Sequence, residues 1–345
     1  MGFSDLLDGL SARLVGKTSG GVHLGAVGKH PGWDDHIEPI GLDSEPLVAL
    51  REVLYILGIG GIIDAAMWEK RPEEVLPGIE HVFCWAGESD TILGHMWSST
   101  DGKGRARYPM IAAAHLGVPF SHALAARTEP VLADVEAHCR AVTTAEEVRA
   151  IFATALGTLR GRLAQPPDGN GPGPDRATCN RLARAMGLDD TDTLCRVLYA
   201  VQSKKTTALT AKASSGKISL KMLDTESFSQ QIRLPMDFHD SIGGIAFWHK
   251  VIMGFCTFKR PLLFIHPVGY PWLDLIIGTP TARELFCIRA NEAALPPASA
   301  VPYELEPAFR QSVAQFMAGI CDATPGTAVR QNAVASATPP PLPQL

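Results

Sequence analysis

The cysteines of this chain do not come in pairs. Seven stand at positions 84, 139, 179, 195, 256, 287 and 321. The number is odd and no CxxC occurs, so the spacing offers neither a disulfide framework nor a zinc knuckle. Most interrupt apolar runs, as in His81-Val82-Phe83-Cys84-Trp85 and Leu285-Phe286-Cys287-Ile288. Free cysteine is among the most buried residue types, so these read as reduced core thiols of a cytosolic protein. Positive charge is also in short supply. With 31 basic against 36 acidic residues the net charge is -5, which leaves no excess to neutralise a phosphate backbone and argues against nucleic acid as a partner.

Long apolar runs are scarce. No stretch reads as the roughly 18–20 apolar residues of a spanning helix, and the longest candidate, Ile242 to Phe258, is interrupted by His249 and Lys250. The start, Met1-Gly2-Phe3-Ser4-Asp5, carries acid where a signal peptide needs positive charge, and Leu6 stands where a myristoylation signal needs Ser or Thr. The expectation is a soluble cytoplasmic protein with no membrane insertion. Catalytic signatures are incomplete as well. There is no Gly-x-Ser-x-Gly elbow and no HExxH helix. Gly16-Lys17-Thr18 ends like a Walker A motif, but Ser11 stands where glycine belongs. The glycines at 25, 28 and 32 with Lys29 match neither phosphate-binding pattern. The expectation is no enzyme and no cofactor.

What is present is a foldable chain. Over 345 residues, 46% are hydrophobic and 19% charged, enough to bury a sizeable core. Phe3, Leu6, Leu7, Leu10 and Leu14 fall at helical spacing over residues 3–15. A strand at 22–27 runs into the loop 28–37. A helix is expected over 44–57, capped by Ser44, with Pro46 in its first turn and Gly58 ending it; a second helix should cover 62–70. Strand-like runs at 81–86, 91–98 and 107–116, joined by turn residues, predict an antiparallel meander. Helices follow at 128–140 and 144–162, where Thr144 and Glu147 resemble a capping box. The Pro/Gly-rich stretch Gln165 to Asp175 reads as a linker. Beyond it come a helical region at 176–202, a strand at 218–223, an apolar helix at about 240–257, strands at 261–266, 272–276 and 284–289, and a helix at 306–321. The fold class is α/β in the α+β sense: a mainly antiparallel sheet flanked by helices, with a second mixed α/β region and a disordered tail. The division is 1–163, a linker at 164–175, 176–322, and a Pro-rich tail at 323–345.

The densest polar cluster is the loop 28–36. His30, Asp34, Asp35 and His36 are residue types that ligate metals, which keeps a metal-dependent hydrolase as an alternative. Lys29 among glycines keeps a nucleotide-binding regulator as another. The plainer reading is turn formation and helix capping, with no metal. Asp237, His239 and Asp240 precede the apolar helix, where Asp240 or Ser241 serves as N-cap. Ser214-Ser215-Gly216-Lys217 reads as a turn. Trp85, Trp97, Tyr108, Trp248 and Trp272 lie in or beside apolar segments and read as core.

The stretch 22–117 resembles the N-terminal domain of the TagF/ImpM family associated with type VI secretion. The carrying residues are an apolar strand into Gly28-Lys29-x-Pro31 followed by Asp34 or Asp35, a helix, and a second helix containing Trp68. Most distinctive are Gly94-His95-Met96-Trp97-Ser98-Ser99-x-Asp101 and then Gly104-Arg105-Ala106-Arg107-Tyr108-Pro109-Met110. Asp35 is followed by His36 where the family has Phe, and Ala106 and Arg107 separate Gly-Arg from the aromatic. The resemblance implies a post-translational modulator of secretion assembly that binds another protein, such as a forkhead-associated scaffold or another type VI secretion component. It carries over no catalytic residue. The expected interaction surface is Lys29, His30, Pro31, Asp34 and Asp35 with Ser99, Asp101 and Arg105, two charged tips converging on one exposed face.

Overall fold

A computed structural model describes residues 21–165, 176–188, 192–202, 230–256 and 260–322. Its centre is a seven-stranded antiparallel sheet. The strands are β1 (Val22–Gly28), β2 (Glu80–Ala86), β3 (Thr91–Ser98), β4 (Pro109–Leu116), β5 (Gln230–Pro235), β6 (Leu262–Pro267) and β7 (Trp272–Ile277), in the order β1-β4-β3-β2-β6-β7-β5. The expected meander is β2-β3-β4, with Phe83 opposite Gly94 and Met96 opposite Ile111. β1 closes one edge against β4. On the other side β2 pairs with β6, Cys84 facing Phe264, so strands from both halves of the sequence share one sheet.

Helices cover both faces, which is why the strands are apolar on both sides rather than alternating with polar residues. One face carries Val82, Cys84, Ala86, Leu93, Trp97 and Phe264. Over it lie α2 (His122–Ala141), α3 (Ala145–Ala164), α4 (Arg176–Ala185), α5 (192–202), α6 (Ser241–Phe255) and α8 (Pro307–Asp322). The opposite face, with Phe83, Trp85, Ile92, Met96 and Ile265, is covered by α1 (Glu45–Asp64) and α7 (Ala282–Leu285). The caps follow sequence logic. Ser121 Oγ accepts from Leu124 N, Thr144 Oγ1 from Glu147 N, and Asp240 Oδ1 from Gly243 N. Trp85, Trp97, Trp248 and Trp272 are all buried.

Several expectations need correction. Gly58 does not end a helix: the chain runs α-helical over Glu45–Leu50, π-helical over Arg51–Gly60 and α-helical again over Gly61–Asp64. Gly58 serves packing instead, because a Cβ there would lie 2.2 Å from Leu285 Cδ1. The result is one helix of 20 residues, long and apolar enough to cross a bilayer by length and composition, which corrects the expectation that no such stretch is present. Most of its apolar side chains are spent on the sheet. Ser44 occupies the N-cap but makes no side-chain cap bond, and residues 65–70 are turns rather than a second helix. Residues 284–288 are helical and 289 is a turn, not a strand. Thr281 and Glu284 form a capping box that starts α7, and Phe286–Ile288 continues as a 3-10 turn.

β5 has no counterpart among the expected elements, and its polar Gln230, Gln231 and Arg233 give no apolar run. Arg233 is admitted to the sheet by Asp274 opposite it on β7, with Nε to Oδ1 at 3.0 Å and Nη2 to Oδ2 at 2.8 Å. The same guanidinium donates to the carbonyls of Ala290, Asn291 and Leu295. The helix expected at 3–15, the linker stretch at 166–175, the turn at 214–217, the strand at 218–223 and the tail at 323–345 lie outside the described residues.

Candidate functional site

The two tips meet at the end of β1. Gly28 turns the chain there with φ of 124°, and a Cβ in its place would stand 2.2 Å from Pro109 O. Lys29 then points its ammonium at Asp101, Nζ to Oδ2 at 2.6 Å. Asp101 is the hub of the second tip. Its Oδ1 accepts from Lys103 N and Arg105 N, both at 3.0 Å, and its Oδ2 also accepts from Arg105 Nε at 2.7 Å. Arg105 Nη2 in turn donates to Asp34 O at 2.8 Å and lies 3.2 Å from Asp35 Oδ1. Gly102 N donates to Trp33 O at 2.7 Å. A Cβ on Gly102 would come 3.0 Å from Pro31 O, so the two loops are in direct contact.

Burial divides the predicted residues into two groups. Lys29, His30 and Asp101 are 4%, 1% and 1% exposed, so they are not surface contacts. They form the tie that holds the loops together. Burial alone would raise the Asp101 carboxyl; the hydrogen bonds from Lys29 and from Arg105 and Lys103 outweigh it and hold it well below the usual carboxylate range. His30 is fixed on both sides: Nδ1 accepts from Gly32 N at 3.0 Å, which leaves Nε2 to donate to Cys139 O at 2.9 Å. Its burial lowers its pKa and keeps it neutral. Pro31, Asp34, Asp35 and Arg105 do face solvent, and Ser99 is partly exposed. Lys103 joins them 3.6 Å from Asp34.

The alternatives fare differently from the tie. Both His30 nitrogens are committed to protein partners, and among the described residues no three His, Cys, Asp or Glu side chains gather as a metal-binding group. The four residues of the proposed metal cluster are therefore not brought together as ligands. Gly25 lies inside β1 rather than in a phosphate-cradling loop, and Lys29 is spent on Asp101 and Asp35. Farther off, Arg181 pairs with Asp237 and Asp240, so that acidic group is a cap with its counter-ion.

Beside the exposed rim lies a cavity of about 310 Å³ that the sequence did not reveal. Its walls include His36, Arg51, Tyr55, Ile56 and Tyr108, with Gly60 and Asp64 at the helix end. His36 and Tyr55 are hydrogen-bonded, Nδ1 to hydroxyl at 2.8 Å, and the rings of His36 and Tyr108 meet edge to face at 4.9 Å. Burial lowers the His36 pKa against the pull of Asp35 and pushes the Tyr55 phenol up. One wall of the cavity is the π-helical segment, with Arg51, Tyr55, Ile56 and Gly60, a geometry that recurs at functional positions. The signal available in the sequence was the cluster Gly58, Gly60 and Gly61 inside an apolar helix. No protein-family model matches this chain, and no curated protein sequence matches it.

Proposed function

We propose that the protein is a cytoplasmic, non-enzymatic regulatory protein that acts by binding another protein, as a post-translational modulator of type VI secretion assembly. The secretion role rests on the TagF/ImpM resemblance of residues 22–117, and the binding role on geometry. The observation that carries the binding role is the buried Lys29–Asp101 tie beneath an exposed charged rim. It holds the Asp34, Lys103 and Arg105 backbone and the Arg105 guanidinium in place, so that the four charged side chains of Asp34, Asp35, Lys103 and Arg105 emerge on one face. Rigid charges of both signs set partner orientation and association rate more than raw affinity. The adjacent cavity supplies the apolar half of an interface. Ile56 is 38% exposed at its edge, and Tyr55 and Tyr108 line it. A buried anchor surrounded by a polar rim is the usual distribution of binding energy.

The test is capture of partners from the native cytoplasm by wild-type protein and by two variants. Asp34→Lys reverses a rim charge, and Ile56→Arg blocks the cavity edge; both sites are exposed, so the fold should survive. Wild type should recover a secretion-apparatus protein, a forkhead-associated scaffold being the first candidate. Each variant should recover at least ten times less. Equal recovery by all three would remove this face from the interface, and recovery of no secretion component would remove the secretion role.

A further inference from the structure

On the opposite layer, α2 and α3 form a helical hairpin whose outer side no described residue closes. Between them runs a groove of about 340 Å³ with a floor of Val131, Val135, Ile151 and Ala155, and with Asp134 and His138 on its rim. Val131 and Val135 are fully buried at the bottom, while α3 turns mainly small residues outward alongside. At Gly157 an added Cβ would meet nothing within 4 Å. An apolar trough beside a smooth helix face is a seat for a second amphipathic element.

The chain itself carries one. Phe3, Leu6, Leu7, Leu10 and Leu14 make one apolar stripe at helical spacing, with Asp5, Asp8 and Arg13 off it. Where this segment joins the fold is fixed by two hydrogen bonds. Gly117 N donates to Gly21 O, and Arg160 Nη2 donates to Val22 O. The chain therefore enters β1 beside the last turns of α3, at the end of the groove marked by Thr158. From residue 15 to residue 21 an extended chain reaches about 20 Å, enough to pass over a helix about 10 Å thick. A helix over 3–15 would be about 18 Å long, against about 10 Å for the floor from Thr158 to Ile151. The connecting Gly16-Lys17-Thr18-Ser19-Gly20 holds no apolar side chain to resist the turn.

We propose that residues 3–15 dock as an amphipathic helix in the groove between α2 and α3, so that this surface is occupied by the chain's own N-terminal segment. The experiment uses the full chain. Hydrogen exchange is followed in peptides covering 3–15 for wild type, for Leu6→Asp/Leu10→Asp, and for Ala155→Arg, which fills the groove from the other side. Circular dichroism checks that each variant is folded. Wild-type exchange in the segment should be at least ten-fold slower than in either variant. A chain carrying Leu10→Cys and Ala155→Cys should form an intramolecular disulfide under mild oxidation, seen as a linked peptide in monomeric protein. Unprotected exchange in wild type would overturn the proposal, as would protection that Ala155→Arg leaves intact. A crosslink found only between two molecules would assign the groove to a second copy. Protection appearing only with anionic phospholipid vesicles would assign the stripe to a membrane surface. Either of those results also refutes the inference.

Discussion

Arg233→Met removes the cation from the most deeply buried ion pair among the described residues, whose partners are 2% and 1% exposed. The side chain that remains is close in length and apolar, so the perturbation is electrostatic more than steric. Asp274 keeps one donor, Gln231 Nε2 at 2.7 Å, while the carbonyls of Ala290 and Leu295 lose the guanidinium and that of Asn291 keeps only Leu295 N at 3.1 Å. Removing one member of a buried pair typically costs 3–5 kcal/mol. At about 2–4 °C per kcal/mol for a larger domain, that is a fall in Tm on the order of 10 °C. The pH dependence gives the sharper test. Burial pushes the Asp274 carboxyl up against the pull of Arg233, and losing Arg233 must take it higher. A carboxyl raised above its unfolded value of about 3.9 binds its proton more tightly in the folded state. Its stabilising effect is complete in acid and is lost as pH rises through the folded value. The deficit of the variant should therefore be smaller at pH 5 than at pH 8 in thermal melts followed by circular dichroism. Arg233→Met/Asp274→Leu, which leaves no buried charge, should melt closer to wild type and without that pH dependence. A loss no larger than that of a surface substitution, or one equal at both pH values, would refute this account of the pair.

At the candidate site the sign is reversed. Asp101 is held low, so its contribution is complete above about pH 4 and is lost only as pH falls through the folded value. Amide exchange at Lys103 and Arg105, corrected for intrinsic rates, should show the same protection at pH 5 and pH 7, and loss at pH 5 would contradict the hub. Gly94→Ala places a Cβ 2.2 Å from Phe83 Cζ and 2.8 Å from Ala112 O. Overpacking of that kind costs about 1–3 kcal/mol, and Phe83→Leu in the same chain should recover part of the lost Tm. Cys84, Cys139, Cys179, Cys195, Cys256 and Cys287 are all buried. Burial pushes the Cys139 thiol up to about 12 and those of Cys84 and Cys287 up as well. Alkylation at pH 8 followed by mass spectrometry should label these three only after denaturation, and rapid labelling in the native protein would show the layers to be open.

Much of the fold was legible because it is local. The meander at 80–116 follows from apolar runs separated by short turns, and α3 and α6 announce themselves through Thr144 and Asp240, whereas α2 starts at His122 behind Ser121, six residues before the expected 128. Where local signals misled, a distant partner had changed their meaning. Gly58 reads as a helix end, yet it is the notch into which Leu285 fits. Arg233 enters a buried strand only because Asp274 pairs with it. Leu285 to Ile288 reads as a strand until the Thr281 capping box winds it into a helix. The site behaved likewise. Lys29, Asp34, Asp35, Asp101 and Arg105 are legible as charged loop residues, but their division into a buried tie and an exposed rim is decided by packing.

By itself, then, the sequence determined the elements whose periodicity, caps and turns act within a dozen residues, together with the identity of the charged loop residues. The tertiary structure alone decided that strands from both halves join one sheet at β2 and β6. It also decided that α1 stays continuous past three glycines and that Lys29 meets Asp101 out of solvent. These depend on which groups, far apart in the chain, share a dielectric environment and a surface. Burial and pairing are properties of that neighbourhood and not of the residues taken singly.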